Sequence, residues 1–171
     1  YARDDEFSEM FLDEARICSV LDHKNICRFL DSGEIDGQLF ISLEWVHGPT
    51  LGRMIRRARK SVGLTMPMVA ALIARVADAL HYAHTARDAE GTVMGLVHRD
   101  VSPHNIMVAY DGQVKLLDFG IAKAEVQSHR TQAGVVKGKF AYMAPEQCRG
   151  RDVDFRIDIF ALGVVFYEAL T

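Results

Sequence analysis

Three polar residues at the ends of a short predicted hairpin carry the clearest chemical signal in this chain. Asp100 and Asn105 lie before one apolar run, and Asp118 lies after a second one. The Asp111-Gly112 pair between the two runs predicts a tight antiparallel turn. Because a hairpin brings its two ends together, we expect Asp100, Asn105 and Asp118 to converge. Two carboxylates and an amide oxygen in one small volume suit Mg²⁺-assisted phosphoryl transfer.

Three short motifs follow one another in the second half of the chain. They are His98-Arg99-Asp100, Asp118-Phe119-Gly120 and Ala144-Pro145-Glu146. At these motifs the chain resembles the protein kinase catalytic domain, in the form typical of bacterial kinases of the eukaryotic-like Ser/Thr type. The resemblance covers nearly the whole sequence and implies an α+β, two-lobed protein-kinase-like fold.

The two ends of the sequence indicate a partial domain. The chain begins at Tyr1 without a Gly-x-Gly-x-x-Gly loop, and it stops within an apolar segment. We therefore expect a kinase-like fold truncated at both ends. The resemblance divides residues 1–171 into a small-lobe remnant (1–43), a hinge (44–48) and a large-lobe portion (49–171).

Composition points to a soluble globular protein. Of 171 residues, 49% are hydrophobic and 25% are charged, with a formal net charge of −3. That charge provides no electrostatic basis for binding nucleic acid or an anionic membrane. The three cysteines lack metal-ligand spacing, which favours reduced thiols in the cytoplasm. We expect a protein substrate, no nucleic acid and no membrane contact from this segment, although an anchor elsewhere is possible; oligomeric state is left open.

Local patterns in the first 50 residues predict one helix and two strands. Apolar residues recur at three- and four-residue steps over 7–21, as on one face of a helix. Alternation predicts strands at Ile26–Leu30 and Gln38–Val46. The turn signals expected to separate them are Ser32-Gly33 and Asp36-Gly37.

Beyond residue 50 the pattern becomes helical. Thr65 is a suitable N-cap for a helix whose apolar stripe runs from Val69 to Ala83. Residues 157–170 are apolar on nearly all sides, which predicts a buried central helix. The basic run Arg56–Lys60 is interpreted as a solvated helix face.

The hairpin residues receive catalytic roles from the resemblance. Asp100 would be the base that accepts the proton of a substrate hydroxyl, and Asn105 and Asp118 would hold Mg²⁺ on the nucleotide phosphates. A plainer interpretation is that each of them closes a turn. Their joint occurrence at the family spacing favours catalysis. His98 and Asp158 are expected to be structural, with Asp158 accepting hydrogen bonds from the loop that carries Asp100.

The resemblance also implies an ATP site. Leu43 would guard the back of the adenine pocket, backbone groups of Glu44 and Val46 would bond the adenine edge, and Met107 would lie under the ring. Each could equally be an ordinary strand or core residue. Glu14 matches the helix glutamate that pairs with a phosphate-binding Lys; since that Lys is outside this sequence, we expect a solvated Glu14 here.

Two positions depart from the family pattern. The usual Lys two residues after the catalytic Asp is Ser102, and the usual Thr after the Gly that precedes Ala-Pro-Glu is Lys139. We hypothesise a reciprocal exchange, in which Lys139 supplies the ammonium and Ser102 the hydroxyl beside Asp100. The competing interpretation is a weak or inactive kinase.

Regulation is expected to act through the segment between Asp118 and Glu146. Arg99 directly before Asp100 could hold a phosphate on this segment. Thr131 is the first candidate for phosphorylation and Ser128 the second, against the alternative of an unmodified loop.

Three functions remain open from the sequence. The leading one is a protein Ser/Thr kinase that uses ATP and Mg²⁺, since no Arg stands two or four residues after Asp100 as in tyrosine kinases. The second is a pseudokinase-like scaffold, and the third is a small-molecule kinase of the aminoglycoside-phosphotransferase type, which lacks the Ala-Pro-Glu segment. Residues 1–171 alone are expected to be inactive because the phosphate-binding Lys and the Gly-rich loop are absent.

Overall fold

The computed structural model describes residues 11, 15–119, 140–150 and 153–171. Within them lie two antiparallel hairpins, five α-helices and one 3₁₀ turn. In chain order the elements are α1 (15–20), β1 (Phe29–Ile35), β2 (Gln38–Leu43), α2 (Leu51–Ala58), α3 (Met66–Thr85), β3 (Ile106–Val108), β4 (Val114–Leu116), a 3₁₀ turn (Phe140–Tyr142), α4 (Pro145–Cys148) and α5 (Arg156–Leu170). This mixture of helices and strands confirms the predicted α+β class.

The first hairpin joins β1 to β2 through the predicted Asp36-Gly37 turn. Both turn residues have positive φ, 53° and 76°, which is the geometry of the tight turn that matches strand twist. The pairing runs from Ile35 opposite Gln38 to Phe29 opposite Leu43. Strand β2 therefore ends at Leu43, directly before the predicted hinge.

Both predicted limits of the first strand are wrong, since β1 spans Phe29–Ile35 rather than Ile26–Leu30. Ser32 and Gly33 lie inside β1, paired with Ile41 and Phe40, rather than in a turn that ends it. Ile26 makes only an isolated bridge, to Leu116. Pairing with β2 determines where β1 begins and ends. A local Ser-Gly pair carries no information about which strand will pair with it.

The second hairpin is formed by β3 and β4, with Ile106 opposite Leu116 and Val108 opposite Val114. This register confirms the hairpin predicted around Asp111-Gly112. Residues 25–27 extend along β4, because Leu116 N donates to Asn25 O (2.8 Å) and Cys27 N donates to Leu116 O (2.8 Å). The chain segment before β1 is thereby tied to the hairpin that carries the candidate site.

The hydrophobic core lies between α3, α5 and the second hairpin. Its fully buried members include Val76, Leu80, Ile106, Val114, Leu116 and Val165. Helix α3 begins after Thr65 as predicted, although no side-chain hydrogen bond caps it. Helix α3 packs against both α5 and β4, so it joins the second hairpin to α5.

Helix α5 is buried on one face only, contrary to the expectation of burial on nearly all sides. Ile157, Leu162 and Val165 are buried, whereas Phe160 and Tyr167 are 44% and 70% exposed. The described residues offer no second layer against that face. We therefore correct the prediction of a helix enclosed within this segment.

Helix α2 packs its apolar residues Leu51 and Ile55 inward. Arg56, Arg57 and Lys60 are exposed, which confirms a solvated basic face. No helix among the described residues is long and apolar enough to cross a lipid bilayer.

Candidate active site

The loop that carries Asp100 is held by a single buried carboxylate. Asp158, at the start of α5, is 1% exposed. Its Oδ2 accepts a hydrogen bond from His98 N and its Oδ1 accepts one from Arg99 N, both at 2.8 Å. Arg99 has a φ of 66°, a conformation that non-glycine residues seldom adopt. The Asp158 carboxylate therefore stabilises a strained backbone one residue before Asp100, in agreement with its predicted structural role.

A third donor to Asp158 was not found from the sequence. His84 Nε2, at the end of α3, lies 2.8 Å from Asp158 Oδ2. Because a carboxylate only accepts, His84 must donate through Nε2. These three hydrogen bonds make Asp158 the meeting point of α3, α5 and the loop at 98–100.

His98 is structural, as predicted. It is fully buried, its ring lies 4.7 Å from the Phe119 ring, and its Nε2 donates to Leu117 O at 2.8 Å. Its Nδ1 accepts a bond from Asp100 N at 3.2 Å. Burial lowers the pKa of His98, so the ring is neutral and acts as a spacer between the Asp100 loop and the Asp118 segment.

Asn105 orients Asp100 directly. Its Nδ2 donates to both the main-chain O (2.8 Å) and the side-chain Oδ2 (3.0 Å) of Asp100. The Asn105 backbone is fixed as well, since its N donates to Ser102 O and its O accepts from Leu117 N. Because Asn105 Nδ2 donates to Asp100, Asn105 Oδ1 is the side-chain atom that could bind a cation.

Asp118 follows the end of β4 as predicted, with a φ of 43°. The Leu117-to-Asn105 hydrogen bond joins the two ends of the hairpin at 2.8 Å. The backbone thus brings Asp118 next to the residues around Asn105. Among the described residues, no cluster of three His, Cys, Asp or Glu side chains could hold a metal, so a cation here would rely on Asn105, Asp118, water and phosphate.

Ser102 is the other predicted site residue on this loop. Ser102 is 5% exposed and its carbonyl accepts from Asn105, so its main chain helps to shape the loop. Glu14, Thr131 and Lys139 lie outside the described residues. The Ser102–Lys139 exchange, the Glu14 ion pair and Thr131 phosphorylation therefore stay predictions.

The predicted hinge, residues 44–48, contains an ion pair that sequence reasoning missed. Lys115 Nζ on β4 lies 2.5 Å from Glu44 Oε1, which also accepts from Arg28 N at 2.8 Å. Partial burial acts to raise the pKa of Glu44, but the hydrogen bonds from Lys115 and Arg28 outweigh it, so the pKa is lowered. Glu44 is therefore charged, and it ties the hinge to the second hairpin.

Backbone groups of the hinge differ in their availability. Glu44 N donates to Arg28 O at 2.9 Å. Among the described residues, the weak thiol donor of Cys27, at 3.6 Å, is the only group that approaches Glu44 O. Val46 O accepts from Gly48 N, and the Val46 N–H has no hydrogen-bond partner within the described ranges. The acceptor Glu44 O and the donor Val46 N thus remain for a flat, hydrogen-bonding ligand.

The end of the hinge packs directly on β3. Val108 N donates to Pro49 O (2.9 Å) and Tyr110 N to His47 O (3.0 Å). A methyl group on Gly48 would lie 2.1 Å from Val108 O and 2.6 Å from Ala109 Cα. Only glycine allows this approach, which brings the hinge beside Met107 on β3.

This close contact leads to a stability prediction. Replacing Gly48 by Ala is expected to destabilise the folded protein by about 3 kcal/mol, because backbone atoms cannot move aside as a flexible side chain can. Urea unfolding of the complete protein measures this. Gly163→Ala is the matched control, since nothing lies within 4 Å of the added methyl on α5; it should stabilise by up to about 1 kcal/mol. Equal effects of both substitutions would refute the steric argument.

Behind Leu43 lies a mainly apolar cavity of about 150 Å³. Its lining consists of Cys18, Leu21, Ile26, Cys27, Ile41, Leu43, Leu116, Asp118 and Phe119. Leu43 therefore separates the hinge from a space that reaches Asp118. Burial raises the pKa of Cys27 to about 11, so this thiol is unreactive at neutral pH.

A further pair connects the Ala-Pro-Glu segment to α5. Tyr142 OH donates to Glu168 Oε2 at 2.5 Å, and burial together with the Glu168 carboxylate raises the pKa of Tyr142. Glu168 is the single acidic residue in the apolar second half of α5, and this feature of the sequence could have indicated the pair. The Tyr142–Glu168 hydrogen bond holds the segment before α4 against α5.

Comparisons with known proteins agree with this geometry. The sequence model of the family described as "Protein kinase domain" matches residues 2–171. The chain is 48% identical over 167 residues to Tyrosine-protein kinase MasK of Myxococcus xanthus (strain DK1622), covering 97% of this chain and 26% of that protein. It is 37% identical over 171 residues to Serine/threonine-protein kinase PknH of Mycobacterium tuberculosis (strain ATCC 25618 / H37Rv), covering 100% of this chain and 26% of the relative.

Solved structures show the same relationship. The Mycobacterium tuberculosis PknI kinase domain superposes with a TM-score of 0.72 at 34% identity, covering 98% of this chain and 57% of that one. The chain thus spans about a quarter of these two curated relatives and a little over half of a solved kinase domain. The resemblance inferred from the three motifs is confirmed: this chain belongs to the protein kinase domain family.

Proposed function

We propose that this chain is the central part of a protein Ser/Thr kinase domain that transfers the γ-phosphoryl group of ATP to hydroxyls of protein substrates in the cytoplasm. In this proposal residues 1–43 belong to the small lobe, 44–48 form the hinge and 49–171 belong to the large lobe. The observation that carries it is the Asn105 amide bonded to both the carbonyl and the carboxylate of Asp100, on a loop clamped by Asp158.

Asp100 is proposed to accept the proton of the attacking hydroxyl. Phosphoryl transfer has a loose transition state, so orientation of the nucleophile matters more than the strength of the base. The bond from Asn105 Nδ2 and the Asp158-held backbone restrict the Asp100 carboxylate to one orientation. Such restriction is what a positioning base requires.

The donor set suits Mg²⁺. This ion binds proteins through one or two oxygen ligands and keeps several water or phosphate ligands. Asn105 Oδ1 and the Asp118 carboxylate are of that type. Bound there, Mg²⁺ would neutralise charge on the nucleotide phosphates, while Asn105 and Asp118 would determine where those phosphates lie.

ATP is proposed to bind along the hinge. Glu44 O offers an acceptor and Val46 N a donor for the adenine edge, and Met107 would pack against the ring. The Lys115–Glu44 ion pair and the Gly48 contact hold these groups against β3. Leu43 would limit access to the cavity behind it.

Two features favour Ser and Thr as acceptors. Relatives that include PknH and PknA are named serine/threonine-protein kinases, and positions two and four after Asp100 are Ser102 and His104 rather than Arg. MasK is named a tyrosine-protein kinase, so the acceptor needs a direct test. Arg99 and phosphorylated Thr131 are proposed as the regulatory pair, and Lys139 as the phosphate-steadying cation beside Ser102.

The test is phosphorylation by the complete protein of three peptides that differ only in a Ser, Thr or Tyr acceptor. With labelled ATP and Mg²⁺ we expect label on Ser and Thr, and none after chelation by EDTA. Mass spectrometry of the same reaction should place phosphate on Thr131. Nucleotide binding without any transfer would identify a scaffold instead, and label confined to Tyr would refute the Ser/Thr assignment.

A further inference from the structure

The positive charge of this chain is concentrated in one segment. Residues 45–77 contain six basic residues and no acidic one, although the whole chain has a net charge of −3. The basic residues are Arg53, Arg56, Arg57, Arg59, Lys60 and Arg75. Five of these six lie on or directly after α2.

Four of them form one stripe, which we call the basic stripe: Arg53, Arg56, Arg57 and Lys60. Arg53, Arg56 and Arg57 are three and four residues apart, which places them on one side of the helix, and Lys60 follows in the turn after it. All four are exposed. The opposite side is buried through Leu51 and Ile55. Packing of α2 therefore directs the stripe to solvent.

Helix stability does not account for the stripe. Like charges three and four residues apart destabilise a helix, and no acidic residue occurs in the first turn of α2. Arg53 lies in that first turn, where the helix dipole disfavours a cation. Within the described ranges no carboxylate forms an ion pair with Arg53, Arg56 or Arg57. The dipole does favour Arg56 and Arg57 in the last turn, but it does not explain Arg53 or the spacing of like charges. The stripe therefore remains available to a partner.

The position of α2 relates the stripe to the site. At its start, Gly52 N donates to Pro103 O at 2.8 Å, and Pro103 lies between Asp100 and Asn105. At its other end, Arg59 Nη2 donates to Glu168 O at 3.4 Å, and the Glu168 side chain binds Tyr142. The stripe thus runs from the Asp100 loop towards the Ala-Pro-Glu segment.

We propose that the basic stripe binds acidic side chains of the protein substrate, so that this kinase prefers acceptor hydroxyls flanked by Asp, Glu or phosphorylated residues. This inference rests on the proposed function. A polypeptide whose hydroxyl reaches Asp100 must approach the loop that the start of α2 contacts through Gly52 and Pro103. Opposite charges at short range favour such an approach. The attachment of α2 to that loop favours a substrate over an anionic membrane or a nucleic acid.

The test compares two peptides on the complete protein, one with Glu residues around the acceptor Thr and one with Gln in their place. We expect kcat/KM to favour the Glu peptide roughly five- to thirtyfold, the effect of two or three exposed ion pairs. The double substitution Arg56→Gln and Arg57→Gln should reduce this ratio to about threefold or less. High salt should do the same, because exposed charges are screened.

The matched control is Lys24→Gln with Arg75→Gln. It removes the same charge from Arg75 on α3 and from Lys24, which pairs with Asp78 on α3, and it should leave the ratio unchanged. If both peptides are turned over without preference, this inference is overturned and the proposed function is not. The same holds if the Arg56 and Arg57 substitutions do not reduce the preference. Absence of turnover with either peptide would overturn the proposed function and this inference with it. Loss of binding to phosphatidylserine vesicles in the double variant, with the peptide ratio unchanged, would assign the stripe to membranes instead.

Discussion

Asp100→Asn is expected to lower kcat of the complete protein by roughly 10²- to 10⁴-fold, the usual contribution of a positioned general base. The substitution keeps the size of the side chain and one oxygen that can accept from Asn105 Nδ2. It removes the charge that attracts the proton of the attacking hydroxyl. Because the fold is unchanged, the KM for ATP should move much less than kcat. Steady-state phosphorylation of a Thr peptide measures both constants.

Asp111→Asn is the matched control for that experiment. Asp111 lies in the exposed turn of the same hairpin, where its Oδ1 accepts from Gln113 N at 3.0 Å. An Asn side chain can make that bond as well, so activity should stay within about twofold of wild type, as is usual for exposed positions of this kind. If Asp100→Asn retained activity comparable to this control, Asp100 would not be the base.

Asp158→Ala is expected to reduce both stability and activity. The substitution leaves His98 N, Arg99 N and His84 Nε2 without their acceptor in a buried place. At about 1–3 kcal/mol for each unpaired buried donor, we expect a loss of about 3–5 kcal/mol. Release of the Arg99 backbone would also shift Asp100, and a misplacement of that kind lowers kcat by about 10²-fold.

Two further variants keep this prediction testable. Asp158→Asn retains one acceptor for the loop, so it should fold and should lose less stability than Asp158→Ala. Asp78→Ala is the control: this half-exposed carboxylate contacts His23 and Lys24 at 3.5 Å, so the loss should be under about 1 kcal/mol. Thermal unfolding and peptide phosphorylation of all three proteins would decide the matter. Wild-type stability of Asp158→Ala would exclude a clamping role.

Much of the candidate site could be predicted because its signal is local. The Asp-Gly turn between two apolar runs specified the β3–β4 hairpin, and that hairpin places Asn105 and Asp118 at its two ends. The apolar residues from Val69 to Ala83 likewise predicted helix α3 with the correct first residues. Turn chemistry and helical periodicity act over a few residues, so a single sequence reports them reliably.

Strand limits and helix burial were predicted less well. The Ser32-Gly33 signal was interpreted as a boundary, yet both residues pair within β1. Helix α5 was expected to be enclosed, yet Phe160 and Tyr167 are exposed. In both cases the result depends on which other segments pack against the element, and composition alone does not specify those neighbours.

By itself the sequence determined the chemical groups at the site, their order along the chain and the family to which they belong. The tertiary structure decided which distant groups orient them. Asp158 meets the loop amides from 60 and 59 residues away, and Lys115 meets Glu44 from 71 residues away. Such contacts form only when α3, α5 and the second hairpin share one core and the segment after β2 lies against that hairpin. Local propensities carry no information about a partner at that separation, so folding alone brings the donors and the carboxylate together.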